Sequence, residues 1–262
     1  MAYERFSYVY DRLMEDMPYD EWLRFAKGCW DKFGHPRTVV DLGCGTGSIA
    51  VPLAQEGYEV IGIDLSEDML AVAQSKADEA RLHRPLPPGG SVTFLQQDLR
   101  DWELGRQADS VVSFCDCFNY LLEEEDITKA IRQAYAGLKP GGVFIFDVHT
   151  AEQLLDYAAS QPFFLNEDDI AYIWTCGYDE SRSEIEHALT IFVQEEEHHR
   201  GDDTPSEWFN RVEEMHTQRA YPLPWLETQL REAGFREVVC YGDFLFKQAT
   251  EDTRRAFFAA VK

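Results

Sequence analysis

The chain has 262 residues, of which 45% are hydrophobic, and a formal net charge of −24 at pH 7. This length suits one large domain or a domain with an insertion, and the hydrophobic share is ordinary for a globular protein. No apolar run is long enough to span a membrane, and so acidic a chain is poorly suited to the phosphates of nucleic acids.

Residues 3–33 carry apolar side chains at helical spacing on both sides of Pro18 and therefore predict two helices. Such a stripe is usually core packing, and it also suits a lid over the segment that follows. The first residues lack the basic and then apolar layout of a signal peptide, so we expect a cytoplasmic protein.

A glycine-rich turn follows the first predicted strand, which ends near Asp41. The turn has glycines at intervals of two residues: Gly43, Gly45 and Gly47. Backbone N–H groups of a strand–turn–helix unit can approach a ligand closely, near the helix N-terminus. Asp41 repels a pyrophosphate and attracts an ammonium or a sulfonium, and the glycine spacing fits neither standard phosphate loop. A tight turn without a ligand is the plain alternative.

Two further acidic residues follow the next predicted strands. The strand over 57–64 ends at Asp64, where a carboxylate can accept hydrogen bonds from ribose hydroxyls. The strand over 91–96 is followed by Asp98. Ser66 is a good N-cap for a helix over 67–81.

The later elements continue an alternation of strands and helices. A strand over 108–114 leads into a loop over 115–121, and a helix over 124–138 and a turn over 139–142 lead to a strand over 143–148. This alternation predicts an open, doubly wound, mostly parallel α/β sheet with its ligand site at the carboxyl ends of the strands. We therefore expect the three acids at those ends to converge in one crevice: Asp41, Asp64 and Asp98. His149 follows the last of these strands at the same edge.

Residues 150–219 interrupt the alternation and hold 17 acidic residues against 4 arginines. Strands over 170–178 and 185–195, with a third candidate over 207–219, predict a small antiparallel sheet. A solvated acidic face is the plain reading of the charge, and attraction of a cationic substrate is the alternative. The chain closes with a helix over 223–235 and strands over 238–241 and 256–261.

Neither the cysteines nor the histidines have the spacing of a metal site. The six cysteines are scattered, which predicts neither a zinc site nor a disulfide framework. His198 and His199 lie in a charged segment that reads as a solvated loop. We therefore expect no bound metal.

Four segments form a recognisable set: the turn 41–47, Asp64-Leu65-Ser66 with Met69-Leu70, Gln97-Asp98-Leu99, and Leu138-Lys139-Pro140-Gly141-Gly142. Together they resemble class I S-adenosylmethionine-dependent methyltransferases. The resemblance implies a seven-stranded Rossmann-like sheet built from residues 1–149 and 220–262, with lid helices in 3–33. It also implies S-adenosylmethionine as methyl donor and S-adenosylhomocysteine as product, with the insertion 150–219 forming the acceptor pocket.

The resemblance implies a role for each motif. Asp41 and the three glycines would line the methionine portion of the cofactor, and Asp64 would bind its ribose. The other implied contacts are Leu65 and Met69 beside the adenine, Asp98 and Leu99 at the adenine edge, and Cys115 near the sulfonium. Ordinary core packing is the alternative for Met69.

The N-terminal Val9-Tyr10-Asp11 and Tyr19 resemble a narrower branch, the YqeM-type bacterial proteins and the aminosugar N,N-dimethyltransferases. In that branch the N-terminal helices cover the cofactor, which would place Tyr10 and Tyr19 over it. Tyr120 matches a position near the acceptor that holds Tyr or His in the aminosugar enzymes. Three neighbouring residues depart from the pattern of the sugar enzymes: Asp116, Cys117 and Asn119.

We predict methyl transfer to a nitrogen or oxygen nucleophile of a small molecule, by placing the acceptor in line with the methyl carbon and excluding water. If the acceptor is an amine, Tyr120 and His149 are the candidate bases. Each has a plainer role, Tyr120 in orienting the acceptor and His149 in capping the lid helix.

Three other functions use related features of the sequence. They are a protein or RNA methyltransferase with the same cofactor site, a non-catalytic S-adenosylmethionine-binding regulatory module, and a dinucleotide or nucleotide-sugar enzyme. The acidic composition disfavours RNA, and Asp41 with the glycine spacing disfavours the last. We expect a small-molecule acceptor, no nucleic-acid or membrane partner, and a monomer or homodimer.

Overall fold

The computed structural model describes residues 9–194 and 208–262, which form two β-sheets and the helices around them. The strands are β1 (Thr38–Leu42), β2 (Glu59–Asp64), β3 (Ser91–Gln96), β4 (Ala108–Ser113), β5 (Leu138–His149), β6 (Phe163–Asn166), β7 (Ile170–Asp179), β8 (Glu184–Gln194), β9 (Phe209–Arg219), β10 (Glu237–Gly242) and β11 (Arg255–Val261). The helices are α1 (Tyr19–Phe33), α2 (Ala50–Gln55), α3 (Glu67–His83), α4 (Glu124–Gly137), α5 (Ala151–Ser160) and α6 (Leu223–Ala233). Residues 9–13 are also helical.

The larger sheet has the strand order β10-β11-β5-β4-β1-β2-β3. Strands β1 to β5 pair in parallel, and β11 is antiparallel to both of its neighbours. This confirms the predicted seven-stranded, mostly parallel sheet. The carboxyl ends of β1 to β5 lie at one edge, which we call the site edge, and because β11 runs the opposite way its first residue, Arg255, pairs there with His149.

Apolar cores lie on both faces of this sheet, as a doubly wound fold requires. One core packs α4 and α6 against Phe144, Phe146 and Phe258. The other packs α1 and α2 against the opposite face and includes Trp22 and Trp30, which are at most 1% exposed. The aromatic stripe of α1 is therefore core.

The second sheet is antiparallel, with the order β6-β7-β8-β9. It confirms the predicted insertion and adds β6, whose four residues were too short a pattern to predict. Strand β5 begins at Leu138, where we predicted a turn over 139–142, because its ladder with β4 continues across a register shift. The predicted loop over 115–121 contains a 3-10 turn, Cys117–Tyr120.

Some predictions lie outside the described residues, namely the first residues of the N-terminal helix and the pair His198 and His199. Among the residues that are described, no helix is long and apolar enough to cross a membrane. The same residues contain no group of three or more His, Cys, Asp or Glu side chains that could hold a metal ion.

Candidate functional site

A pocket lies at the site edge beside the glycine turn. Three chain segments line it: the end of β1 with its turn, the N-terminal segments, and the end of β4. The predicted cofactor residues that meet there are Tyr10, Tyr19, Asp41, Gly43, Gly45 and Cys115. Because these residues are far apart in sequence and share one concave surface, the pocket is the leading candidate for a ligand site.

The glycine turn depends on left-handed backbone. Gly43 has φ +70°, and a Cβ at this residue would lie 2.2 Å from the Sγ of Cys117. Gly47 has φ +77°, and a Cβ there would lie 3.2 Å from Ala73. Gly45 differs, because no atom lies within 4 Å of its Cβ position. The turn is thus packed tightly at both ends and open at its middle glycine, where a ligand can approach the backbone.

Asp41 is a buried carboxylate that faces this pocket. Its side chain is 2% exposed, and its Oδ2 has no hydrogen-bond partner among the described residues. Burial, and after it the charge of Asp64, raises the pKa of Asp41 to about 7. A buried acid without a partner is unfavourable, and a cationic group placed beside it would remove that cost. The pocket therefore suits a ligand with a positive charge.

Asp64 fixes the turn through both carboxylate oxygens. Its Oδ2 accepts a hydrogen bond from the backbone N–H of Gly45 at 2.8 Å, and its Oδ1 accepts one from that of Ser66 at 2.9 Å. Ser66 caps α3 as predicted, with its Oγ accepting from the N–H of Met69 at 3.3 Å. Leu65 is 66% exposed, so an adenine can lie against it, whereas Met69 packs in a small core with Tyr10.

Asp98 and Leu99 both have protein partners. The Asp98 carboxylate accepts hydrogen bonds from Nη2 and Nε of Arg100 at 2.6 and 2.9 Å, which lowers its pKa. Arg100 also donates to Asp126 at 2.8 Å. Leu99 packs against the core on the α4 side of the sheet. The predicted contact of these two residues with an adenine stays a prediction.

The N-terminal segment closes over the pocket. Asp11 accepts a hydrogen bond from Thr46 at 2.5 Å and forms an ion pair with Lys76 of α3 at 2.7 Å. Its neighbour Arg12 donates to Glu167, beside the second sheet, at 2.7 Å. The segment over 9–13 therefore joins the glycine turn to the second sheet, and its role as a lid stays a prediction.

Comparison with known proteins shows to which family the chain belongs. A model of the methyltransferase domain matches residues 39–142. A Geobacillus sp. (strain WCH70) protein that is named as a methyltransferase is 38% identical over 264 residues, which cover 100% of both chains. The chain belongs to the S-adenosylmethionine-dependent methyltransferases.

Two further similarities support this family assignment. YqeM of Bacillus subtilis (strain 168), also named as a methyltransferase, is 33% identical over 263 residues, covering 100% of this chain and 98% of YqeM. The structure of an S-adenosylmethionine-dependent methyltransferase from Clostridium acetobutylicum ATCC 824 has the same fold, with a TM-score of 0.78 and 24% identity over 100% and 99% of the two chains. The cofactor of this methyltransferase is S-adenosylmethionine, whose ammonium and sulfonium suit a pocket lined by Asp41.

A second polar cluster lies beside the pocket in this methyltransferase. Asp116 is at its centre: its Oδ1 accepts from Nη2 of Arg255 at 3.0 Å, and its Oδ2 accepts from Nε2 of Gln218 at 2.6 Å. Asp147 is fully buried and accepts from Arg255, from the N–H of Asp116 at 3.1 Å and from Nε1 of Trp22 at 3.0 Å. The cluster joins α1, β5, β9 and β11 at the site edge.

This cluster was not predicted from the sequence. Asp147 carried a usable signal, since it is an acidic residue near the end of an apolar strand, as Asp41 and Asp64 are. Nothing in the local sequence marked Arg255 or Gln218 as a site residue. They reach the site only because of the order in which the strands lie in the two sheets. Cys115 and Asp116 both have left-handed backbone, with φ of +58° and +52°, and such strain is commonly found at functional sites.

His149 is placed as a structural partner of this cluster. It is 5% exposed, and its Nε2 lies 2.5 Å from Nη2 of Arg255, which can only donate. Burial lowers the pKa of His149 to about 4. A weakly basic imidazole whose lone pair is engaged is a poor general base. The helix that follows His149, α5, is capped by Thr150, whose Oγ1 accepts from the N–H of Gln153 at 3.4 Å.

Tyr120 lies at the end of the 3-10 turn and is 48% exposed. Its ring stands edge-on to that of His216 in β9, with centroids 6.1 Å apart. Burial raises the pKa of Tyr120 above its ordinary value. Its phenol, like that of any tyrosine, can donate a hydrogen bond at neutral pH. This placement suits orientation of an acceptor more than removal of its proton.

Proposed function

We propose that this enzyme methylates a nitrogen or oxygen nucleophile of a small molecule held between the site edge and the second sheet. The observation that carries the proposal is the contact of Gln218 with Asp116. Asp116 directly follows Cys115, which lines the cofactor pocket. The insertion 150–219 therefore forms the acceptor side of the site, within reach of a methyl group beside Cys115.

The residues of the cofactor pocket hold and shield the donor. S-adenosylmethionine, when bound, supplies a methyl group activated by its sulfonium. Asp41 accepts the ammonium of the methionine portion, the open turn at Gly45 lets the backbone approach, and Asp64 holds that turn while meeting the ribose. Tyr10 and Tyr19 cover the pocket and exclude water, which strengthens the electrostatic interactions inside it.

The acceptor side works by positioning. Tyr120 donates a hydrogen bond that orients the acceptor, and the Asp116 cluster holds the adjoining backbone. Alignment of acceptor and methyl carbon can supply several kcal/mol of the barrier reduction. In this scheme His149 is a positioning residue, which acts through Arg255 and Asp116.

The experiment is incubation of the purified enzyme with methyl-labelled S-adenosylmethionine and a bacterial metabolite extract, followed by separation of small molecules from protein and RNA. The proposal expects label in the small-molecule fraction, in proportion to enzyme. Label confined to protein or RNA would assign the enzyme to a macromolecular substrate. Cofactor binding without any transfer would favour a regulatory module.

A further inference from the structure

The inner face of β9 borders the acceptor side of the site. Alternate residues of a strand share one face: Gln218 contacts Asp116 and His216 contacts Tyr120. Farther along the same face, Val212 packs in the small core that includes Tyr10. Tyr10 lines the cofactor pocket. Glu214 occupies the position between His216 and Val212, and therefore lies along the border of the site.

Glu214 is buried at this border. It is 5% exposed, and within residues 9–194 and 208–262 nothing donates a hydrogen bond to its Oε1. Burial raises the pKa of Glu214 above its ordinary value. Its neighbour Glu213 is on the opposite face, where its side chain is 68% exposed and pairs with Arg211 at 2.6 Å. A solvent-exposed carboxylate such as that of Glu213 is ordinary. A buried carboxylate oxygen without a hydrogen-bond partner, such as Oε1 of Glu214, requires an explanation.

Asp116, which also lies on this side of the site, is already balanced. Asp116 accepts from Arg255 and Gln218 with its two oxygens, so it has little charge left to offer a ligand. The ionised Glu214 carboxylate has a negative charge and an oxygen that can still accept a hydrogen bond. A ligand group that is positively charged and donates hydrogen bonds would neutralise the charge and pair with the oxygen, and an ammonium has that chemistry.

We propose that Glu214 is the residue that selects the acceptor, and that the acceptor is a small primary or secondary amine whose nitrogen binds its carboxylate. This inference rests on the proposed function, because it names the substrate class of the same site. It assigns Glu214 a role that the sequence alone did not indicate.

The reaction balances with Glu214 as the first proton acceptor. The bound ammonium gives one proton to the carboxylate and becomes a neutral amine. The nitrogen lone pair then forms the bond to the methyl carbon, and the carbon–sulfur bond breaks with its electron pair remaining on sulfur. The products are a methylated ammonium and the neutral thioether S-adenosylhomocysteine. Glu214 then returns its proton to solvent, so one proton is released in each turnover.

The test uses the full chain, labelled S-adenosylmethionine and a bacterial metabolite extract divided by a cation exchanger at pH 5. Retained metabolites contain the amines, and the flow-through contains neutral and anionic compounds. Wild type is compared with Glu214→Gln and with the matched control Glu213→Gln. Calorimetric binding of S-adenosylmethionine and the melting temperature are measured for each variant.

We expect label in retained metabolites for wild type and Glu213→Gln. For Glu214→Gln we expect a loss of about 10- to 150-fold in kcat/KM, the effect of removing a hydrogen bond to a charged group. Cofactor affinity should be unchanged and the melting temperature equal or higher, since a buried charge is removed. Glu214→Asp should recover part of the activity.

Two outcomes would overturn the inference while the proposed function stands. One is label only in the flow-through, which would mean an acceptor without a positive charge. The other is equal transfer to retained metabolites by Glu214→Gln and wild type. Absence of label from both fractions would instead refute the proposed function, and the inference with it.

Discussion

The titration of Asp41 makes cofactor binding depend on pH. Without a ligand, burial and Asp64 hold the pKa of Asp41 at about 7. The ammonium of S-adenosylmethionine should bind the ionised carboxylate and lower that pKa, so binding releases a proton. The direction of the pH dependence follows from this proton release. Lowering the pH below 7 protonates Asp41 and weakens binding of S-adenosylmethionine, and raising the pH toward 7.4 strengthens it.

The size of the effect follows from this pKa. If only ionised Asp41 binds, the apparent Kd is raised about 11-fold at pH 6 and about 1.4-fold at pH 7.4. The α-amino group of the ligand has an ordinary pKa of about 7.8, so roughly a quarter of the ligand molecules lack the ammonium charge at pH 7.4. We therefore expect binding to be about sixfold tighter at pH 7.4 than at pH 6, with close to one proton released at pH 6.

The assay is titration calorimetry at both pH values in two buffers of different ionisation enthalpy, which gives affinity and proton release together. Asp41→Asn is the control, because its side chain has the same shape and does not titrate. This variant should bind weakly and without a pH-dependent gain. Wild-type affinity that is constant, or that falls, from pH 6 to 7.4 would refute the assigned role of Asp41.

Three further predictions concern Tyr120, His149 and Arg255. Tyr120→Phe should lower kcat severalfold and leave the Kd of S-adenosylmethionine unchanged, and unaltered turnover at saturating acceptor would exclude an orienting role. Because His149 has a folded pKa of about 4 against about 6.5 unfolded, wild type should lose up to roughly 3 kcal/mol of unfolding free energy between pH 7 and 4. Denaturant unfolding should show a smaller loss for His149→Gln. Arg255→Met leaves Asp147 and Asp116 without their cation and should cost about 3–5 kcal/mol in the same measurement, and a change below 1 kcal/mol would contradict the role of this ion cluster.

The parallel part of the fold was predictable because its signals are local. Buried parallel strands give continuous apolar runs, and acids and glycines mark where β1 and β2 end. The glycine turn was equally clear, since a left-handed turn packed as closely as Gly43 against Cys117 accepts no other residue. The pocket residues Tyr10, Tyr19 and Cys115 came from the family resemblance.

The cluster around Asp116 was less predictable because it depends on distant pairings. Arg255 reaches the site because β11 lies between β5 and β10 and runs antiparallel to both. Gln218 reaches it because β9 of the second sheet contacts the 3-10 turn that follows β4. No local pattern encodes these contacts, and the short β6 was missed for the same reason. The predicted oligomeric state, monomer or homodimer, stays a prediction.

The central claim is that the glycine turn and its acids bind the methyl donor. The most direct measurement is calorimetric titration of S-adenosylmethionine, S-adenosylhomocysteine and NADH into wild type and Asp64→Ala. The substitution removes both acceptors that hold Gly45 and Ser66. We predict micromolar-range binding of the first two ligands to wild type, a large loss of both in the variant, and no binding of NADH. Preference for NADH, or equal affinity in the variant, would contradict the account.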